Sequence, residues 1–109
     1  MSKIRFERIW IAQCEAARRF KSHFGLANAL DYLIGEKLLA FAQVAEERAE
    51  FMQELPDFLH EIRAVFSLEE TSEYATQLER TRRLSPFQRN ALRAISSMVM
   101  SRNRFSFKS

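Results

Sequence analysis

Residues 28–46 of the chain, NALDYLIGEKLLAFAQVAE, predict how the rest of the protein folds. On a helical wheel, most of the apolar side chains of this stretch fall on one broad arc. A helix that is apolar around most of its circumference is buried. This stretch is also too short and too interrupted to span a bilayer, which needs about 20 apolar residues. We therefore expect residues 28–46 to be the central helix of the fold. Its apolar arc consists of Leu30, Leu33, Ile34, Leu38, Phe41, Val44 and Ala45, whereas Tyr32 and Leu39 lie opposite.

Three polar or small residues of this stretch have specific expected roles. Asn28 is a predicted N-cap, because its side-chain oxygen can accept a hydrogen bond from the first turn. Gly35 costs about 1 kcal/mol relative to alanine inside a helix, so we expect close approach by another helix there; the alternative is a surface glycine. Lys37 is expected to lie along apolar surface with its ammonium in water. A catalytic lysine would need a companion group, and none is evident.

Length and composition indicate one small helical domain. The chain has 109 residues, which is the size of a single domain. Its 47 % hydrophobic residues, including ten phenylalanines, supply a core, and only two glycines and two prolines are present for turns. We therefore expect an all-α fold, a single compact domain of about five helices around the central hydrophobic helix. Residues 1–102 should form the domain, and residues 103–109 should form a basic aromatic tail.

Cys14 is the only cysteine, so the chain cannot form an internal disulfide. It borders the apolar face of the first predicted helix, where a small buried residue is expected rather than a reactive thiol. The N-terminus shows no signal-peptide pattern and no transmembrane run. We therefore expect a cytoplasmic location. We also expect no cofactor.

Four further helices follow from periodicity and capping signals. The first runs from about residue 4 to residue 24 and ends at Gly25, a predicted C-cap. Residues 49–66 form either one helix kinked at Pro56 or two abutting helices. Ser67 opens a helix with a capping box that reaches about residue 83, and Ser85 opens another that reaches about residue 102. The expected buried faces include Phe6, Ile9, Phe20 and Phe24 in the first helix and Phe87, Ala91, Leu92, Ala94, Ile95, Met98 and Val99 in the last.

Charge is separated sharply along the chain. Residues 28–79 carry three Lys or Arg against twelve Asp or Glu, whereas residues 80–109 carry eight Lys or Arg and no acid. Within the acidic part, one side of the helical wheel over residues 49–66 carries a row of carboxylates. Such a row is an ordinary solvated face, or a docking stripe for a basic partner. The row consists of Glu50, Glu54, Asp57 and Glu61.

The basic C-terminal third is the better candidate for a functional surface. Guanidinium groups on an exposed helix suit phosphate oxygens, and Phe105 and Phe107 of the tail could stack on bases. The alternatives are an ordinary solvated surface, pairing with the protein's own acidic middle, or a protein partner. The predicted polyanion-binding residues are Arg80, Arg82, Arg83, Arg89, Arg93, Arg102 and Arg104.

Patterns that support catalysis or metal binding are scarce. The chain has two histidines, and it contains no HExxH motif, no P-loop and no GxGxxG after a strand. Asp57 and His60 have the carboxylate-x-x-His spacing of helical di-iron sites, but such sites need two of these motifs and two further carboxylates. We therefore expect neither a metal site nor enzymatic activity. A role at a membrane surface is also disfavoured, because the basic tail is short.

Residues 30–42 (LDYLIGEKLLAFA) and 54–63 (ELPDFLHEIR) resemble small uncharacterised all-helical proteins of bacterial mobile elements. The resemblance covers about a third of the chain and includes no catalytic motif. It implies a bacterial cytoplasmic setting and no known activity.

The favoured function is a non-enzymatic binding or regulatory module that uses the basic C-terminal helix face. The alternatives are a protein–protein adaptor or inhibitor that docks through the acidic middle segment, and a nucleic-acid binder. A homodimer is a further hypothesis, because Ile4 and Ile11 lie off the main apolar arc of the first helix.

Overall fold

The computed structural model describes the backbone of residues 2–97 and the side chains of residues 9–97. Over these residues the chain is entirely helical and forms one compact globule, as predicted. It has six helices there, rather than about five. None of them is both long and apolar enough to cross a membrane. The helices are α1 (Ser2–Phe24), α2 (26–47), α3 (Ala49–Met52), α4 (Leu55–Val65), α5 (Leu68–Thr81) and α6 (Pro86–Ser97).

Helix α2 occupies the centre of the core, as expected from its apolar circumference. The side chains of Leu33, Ile34 and Leu38 are fully buried. They belong to one continuous apolar cluster with residues from α1, α4, α5 and α6. A helix surrounded in this way is stabilised by tertiary packing rather than by helix propensity alone.

The winding of α2 differs from that of a regular α-helix. Leu26–Leu30 and Leu39–Glu47 are α-helical, but Asp31–Leu38 between them is a π-helix. Because a π turn holds more residues than an α turn, the segment rotates everything after it relative to a regular helical wheel. Val44, predicted on the main apolar arc, is therefore 40 % exposed, whereas Leu39, predicted opposite that arc, is 4 % exposed.

The junction between α1 and α2 confirms one prediction and corrects another. Gly25 has a φ of 98°, which glycine adopts readily, and the chain turns there as expected. However, α2 begins at Leu26, so the prediction that Asn28 caps it is wrong. The Asn28 side chain instead donates a 2.7 Å hydrogen bond from Nδ2 to the carbonyl of Phe24. This bond satisfies an otherwise unpaired carbonyl at the end of α1.

Helix α1 buries only part of its predicted face. Trp10, Cys14 and Ala17 are buried as core residues, whereas Ile9 is 47 % exposed and Phe24 is 65 % exposed. Burial of those two side chains was therefore wrongly predicted. Phe6 and Ile4 lie outside the described side chains.

The thiol of Cys14 is a core group, as predicted. It is 1 % exposed, and burial, together with the nearby Glu61 carboxylate, raises its pKa to about 12. The thiolate that reactive cysteines require is therefore disfavoured at neutral pH.

The alternatives for residues 49–66 are resolved in favour of two helices. Helix α3 ends at Met52, and α4 begins at Leu55 with Pro56 in its first turn, where its missing N–H costs nothing. The two capping predictions are also confirmed. Ser67 exchanges hydrogen bonds with Glu70, and Ser85 exchanges them with Gln88.

The last two helices form an antiparallel pair. Helix α5 ends at Thr81, two residues earlier than predicted. In α6 the side chains of Ala91, Leu92 and Ile95 are buried as predicted, but Ala94 is exposed, contrary to prediction. The predicted continuation of α6 through Met98 and Val99 to residue 102, and the tail after it, lie outside the described residues.

Gly35 lies within the π segment and allows the close approach that the sequence predicted. A Cβ atom at this position would lie 2.5 Å from Oη of Tyr74, on α5. The Gly35 carbonyl also accepts a 3.0 Å hydrogen bond from Nη1 of Arg82. The surface alternative for Gly35 is therefore excluded.

We expect Gly35→Ala to lower the free energy of unfolding by about 1–2 kcal/mol. The overpacking against Tyr74 exceeds the gain in helix propensity of about 1 kcal/mol. Removing the hydroxyl with Tyr74→Phe should restore most of this loss in the double variant. Urea unfolding of the four proteins of this cycle measures the coupling. If Gly35→Ala lowers the free energy of unfolding equally in the native protein and in the Tyr74→Phe variant, the proposed contact is contradicted.

Candidate functional site

Five of the seven predicted polyanion-binding arginines lie in the described part of the chain, at one end of the α5–α6 pair. We call them the arginine face. Four of these side chains are exposed, and that of Arg89 is half-buried. Arg102 and Arg104 lie outside the described residues. The arginine face consists of Arg80, Arg82, Arg83, Arg89 and Arg93.

Two guanidinium groups of the arginine face are held by backbone carbonyls. Arg82 donates from Nη1 to the carbonyl of Gly35 at 3.0 Å, and Arg89 donates from Nη2 to the carbonyl of Leu84 at 3.2 Å. These bonds restrict the side chains without cancelling their positive charges. A carbonyl uses one or two of the five guanidinium N–H groups, so the others remain available to a ligand.

Only one carboxylate contacts the arginine face within the described residues. Arg93 lies 3.4 Å from Oε1 of Glu79 on α5. Arg80 and Arg83 make no hydrogen bond or ion pair with any described residue. The alternative in which these arginines pair with the protein's own acidic segment therefore applies only to Arg93 in the described chain.

A second surface surrounds Asp31, at the start of the π segment. Asp31 lines two neighbouring clefts, which we call together the Asp31 groove. One cleft has a volume of 530 Å³ and lies between the start of α2 and α5; the other has a volume of 480 Å³ and lies between α1 and α2. The first is lined mainly by Leu26, Leu30, Asp31, Glu70, Glu73, Tyr74, Leu78 and Arg82, and the second by Phe20, Phe24, Asn28, Asp31, Tyr32 and Glu36.

Within the Asp31 groove, the Asp31 carboxylate is held by a long-range hydrogen bond. The hydroxyl of Tyr74 donates to Oδ1 of Asp31 at 2.5 Å. Burial, with this bond, raises the pKa of the Tyr74 hydroxyl, which therefore stays protonated and remains a donor. Tyr74 thus links α5 to α2 beside Gly35.

The acidic stripe predicted over residues 49–66 is not a continuous exposed face. Glu50 and Asp57 are exposed, and Glu61 is half-buried. Glu54 is only 4 % exposed, and its Oε1 accepts a 3.1 Å hydrogen bond from Nε1 of Trp10. The predicted exposure of Glu54 is therefore wrong, because the turn between α3 and α4 rotates it toward α1.

Arg63 is a buried cation that sequence reasoning missed. It is 6 % exposed and donates to the carbonyls of Phe66 and Ile95 and, at 2.8 Å, to Oγ1 of Thr71. Burial lowers its pKa. Its position four residues after Leu59, on the apolar side of α4, is the sequence signal that indicates burial.

Metal binding finds no further support among the described side chains. No three of their His, Cys, Asp and Glu residues lie together in a way that could hold a metal ion. Asp57 is exposed and His60 is half-buried on α4. The single carboxylate-x-x-His spacing therefore has no partner motif within the described residues.

An exposed apolar strip runs beside α1 and α2. Ile9 and Val44 border a groove of 250 Å³ that is also lined by Phe41 and Phe51. Ile11 is 38 % exposed, as the dimer hypothesis requires of it. Self-association itself stays a prediction.

Comparisons with family models, with curated proteins and with solved structures found no match to this chain. The resemblance to proteins of bacterial mobile elements therefore stays a prediction, as does the cytoplasmic location.

Proposed function

We propose that this protein is a binding or regulatory module without catalytic activity, and that its arginine face binds the phosphates of a nucleic acid. The proposal rests on one observation: the guanidinium groups of Arg82 and Arg89 are positioned by carbonyls, and no carboxylate among the described side chains forms an ion pair with them. Side chains held in this way lose less conformational entropy when they bind. Each keeps its charge for a phosphate.

The surroundings of these two arginines favour the same ligand. Arg80, in the last turn of α5, and Arg83, on the connection to α6, are exposed and extend the positive surface. Planar guanidinium groups bind phosphate oxygens in a bidentate manner. Contacts of this kind set affinity and position without reading base sequence. We therefore propose binding that depends on charge and is nearly independent of sequence.

We expect labelled duplex DNA or RNA to bind. For duplex DNA, the logarithm of the binding constant should fall with the logarithm of the salt concentration with a slope of about −4, if four of these arginines contact phosphates. Arg80→Ala and Arg83→Ala are the informative variants, because neither side chain makes a hydrogen bond or an ion pair with another described residue. Each substitution should make the salt slope shallower by about one. Arg89 is less suitable, since its bond to the Leu84 carbonyl makes it part of the turn. Fluorescence anisotropy at several salt concentrations measures the slope.

Arg48→Ala is the matched control for this experiment. Arg48 is exposed at the junction of α2 and α3 and lies 3.9 Å from Glu50, outside the arginine face. Its replacement should leave the salt slope unchanged. The absence of binding to both nucleic acids at low salt would refute the proposal, and an equal effect of Arg48→Ala would refute the assignment to the arginine face.

A further inference from the structure

The aromatic part of the Asp31 groove has the composition of a cation-binding site. The ring centroids of Phe20 and Tyr32 lie 4.8 Å apart, and those of Phe20 and Phe24 lie 5.8 Å apart, both in edge-to-face arrangements. Phe24 is 65 % exposed, although a phenylalanine ring normally gains by burial. Two carboxylates, Asp31 and Glu36, line the same cleft. Aromatic rings beside carboxylates attract an organic cation both through their quadrupoles and through charge.

One ring of this cleft already has a cation over it. Nζ of Lys37 lies 5.3 Å from the centroid of Tyr32. Lys37 lines the separate 250 Å³ groove and does not line the aromatic cleft. The cleft therefore keeps the rings of Phe20 and Phe24 and both carboxylates for a second cation.

The 530 Å³ cleft of the Asp31 groove indicates what kind of molecule would carry that cation. Across Asp31 the 530 Å³ cleft has an apolar floor of Leu26, Leu30 and Leu78. Its rim carries the carboxylate of Glu73 and one cation, Arg82. The rim also includes Glu70, which lies 3.7 Å from Lys21 and accepts from the Ser67 N–H. A single small cation would occupy only the aromatic cleft. An extended basic segment with apolar side chains would occupy both clefts.

We propose that the Asp31 groove binds a basic, partly apolar peptide segment of a protein partner, with one arginine or lysine side chain in the aromatic cleft. The carboxylates complement the charge of the segment, and the leucine floor complements its apolar side chains. The groove shares one residue, Arg82, with the arginine face. Its occupant is opposite in charge to the nucleic acid proposed for that face.

The test uses the full chain and a fluorescein-labelled peptide of alternating arginine and leucine. A second peptide carries citrulline in place of every arginine, which keeps the shape and removes the charge. We expect the arginine peptide to bind and the citrulline peptide to bind at least about tenfold more weakly. Equal binding of the two peptides would overturn the proposal, and so would no binding of either at low salt.

Variants locate the peptide on the protein. Phe24→Ser should weaken binding about twofold to fivefold through loss of the cation–π contact, and Glu36→Gln should weaken it mainly at low salt. Both side chains are exposed, so folding is preserved, and circular dichroism checks this. The matched controls are Met52→Ser, which removes another exposed apolar side chain, and Glu50→Gln, which removes another exposed carboxylate; neither should change the affinity. Equal effects of the controls and the groove variants would overturn the location.

A competition experiment separates a peptide from a free small cation. Tetramethylammonium should displace the labelled peptide only at concentrations far above the peptide's own dissociation constant, because it reaches only the aromatic cleft. Displacement at a concentration similar to that dissociation constant would overturn the assignment of a peptide ligand. Arg80→Ala should not weaken peptide binding, so the outcome is independent of the nucleic-acid proposal.

Discussion

Replacing Arg63 by alanine is expected to lower the free energy of unfolding by about 3–5 kcal/mol. Such a loss is a large part of the roughly 5–15 kcal/mol that stabilises a domain of this size. Arg63 bonds to the carbonyls of Phe66 and Ile95 and to the hydroxyl of Thr71. The substitution would remove the donor from all three buried acceptors and would leave a cavity.

The size of this effect follows from where the three acceptors lie. Phe66 is at the end of α4, Thr71 is in the first turns of α5, and Ile95 is near the end of the described part of α6. One guanidinium group therefore joins three helices. The carbonyl of Phe66, at the end of α4, also carries the partial negative charge of a helix C-terminus, which offsets part of the cost of burying the cation.

Urea unfolding followed by the fluorescence of Trp10 and by circular dichroism measures the loss. Trp10 is the only tryptophan and is 3 % exposed, so its emission reports on the core. Arg83→Ala, an exposed arginine, should change the stability by no more than about 0.5 kcal/mol. Thr71→Val, which removes one of the three acceptors, should cost about 1–2 kcal/mol and provides a folded variant if Arg63→Ala does not fold. A loss for Arg63→Ala as small as that for Arg83→Ala would contradict the role of Arg63.

Replacing Trp10 by phenylalanine is expected to lower the free energy of unfolding by about 2–3 kcal/mol. The indole N–H is the donor to the buried Glu54 carboxylate at 3.1 Å, and the indole ring stacks on Phe58 with centroids 5.9 Å apart. Phenylalanine would keep much of the stacking and leave the carboxylate without this donor. Leaving a buried charged acceptor unpaired costs more than the hydrogen bond contributes.

The second substitution Glu54→Met tests this explanation. In the Trp10→Phe background it removes the unpaired carboxylate, so the double variant should recover most of the lost stability. Glu50→Met, at an exposed position of α3, should recover nothing. Unfolding has to be followed by circular dichroism, since these variants lack the tryptophan. Additive losses from Trp10→Phe and Glu54→Met would show that the two side chains are not coupled.

The candidate surfaces were predictable to different degrees. The arginine face was named from sequence because its residues are close together along the chain and carry no acid between them. The Asp31 groove was not predicted, since it joins Phe20 of α1, Asp31 of α2 and Tyr74 of α5. Such contacts depend on helix packing and have no local signal. The prediction of an exposed row of four carboxylates is wrong at Glu54, because the turn at residues 53–54 interrupts the helical period assumed for residues 49–66.

Local sequence was sufficient for the helical class, the turn at Gly25, both capping boxes and the burial of Leu33 and Leu38, because each depends on residues within one or two helical turns. Long-range packing decided the rest. The π winding of Asp31–Leu38 accompanies the approach of Tyr74 and Arg82 to Gly35, and it exposes Val44 while burying Leu39. Burial of Arg63 and Glu54 likewise depends on partners that lie 32 and 44 residues away in sequence. A helical wheel drawn with a constant angle per residue can predict neither the change in winding at the π segment nor the distant partners of Arg63 and Glu54.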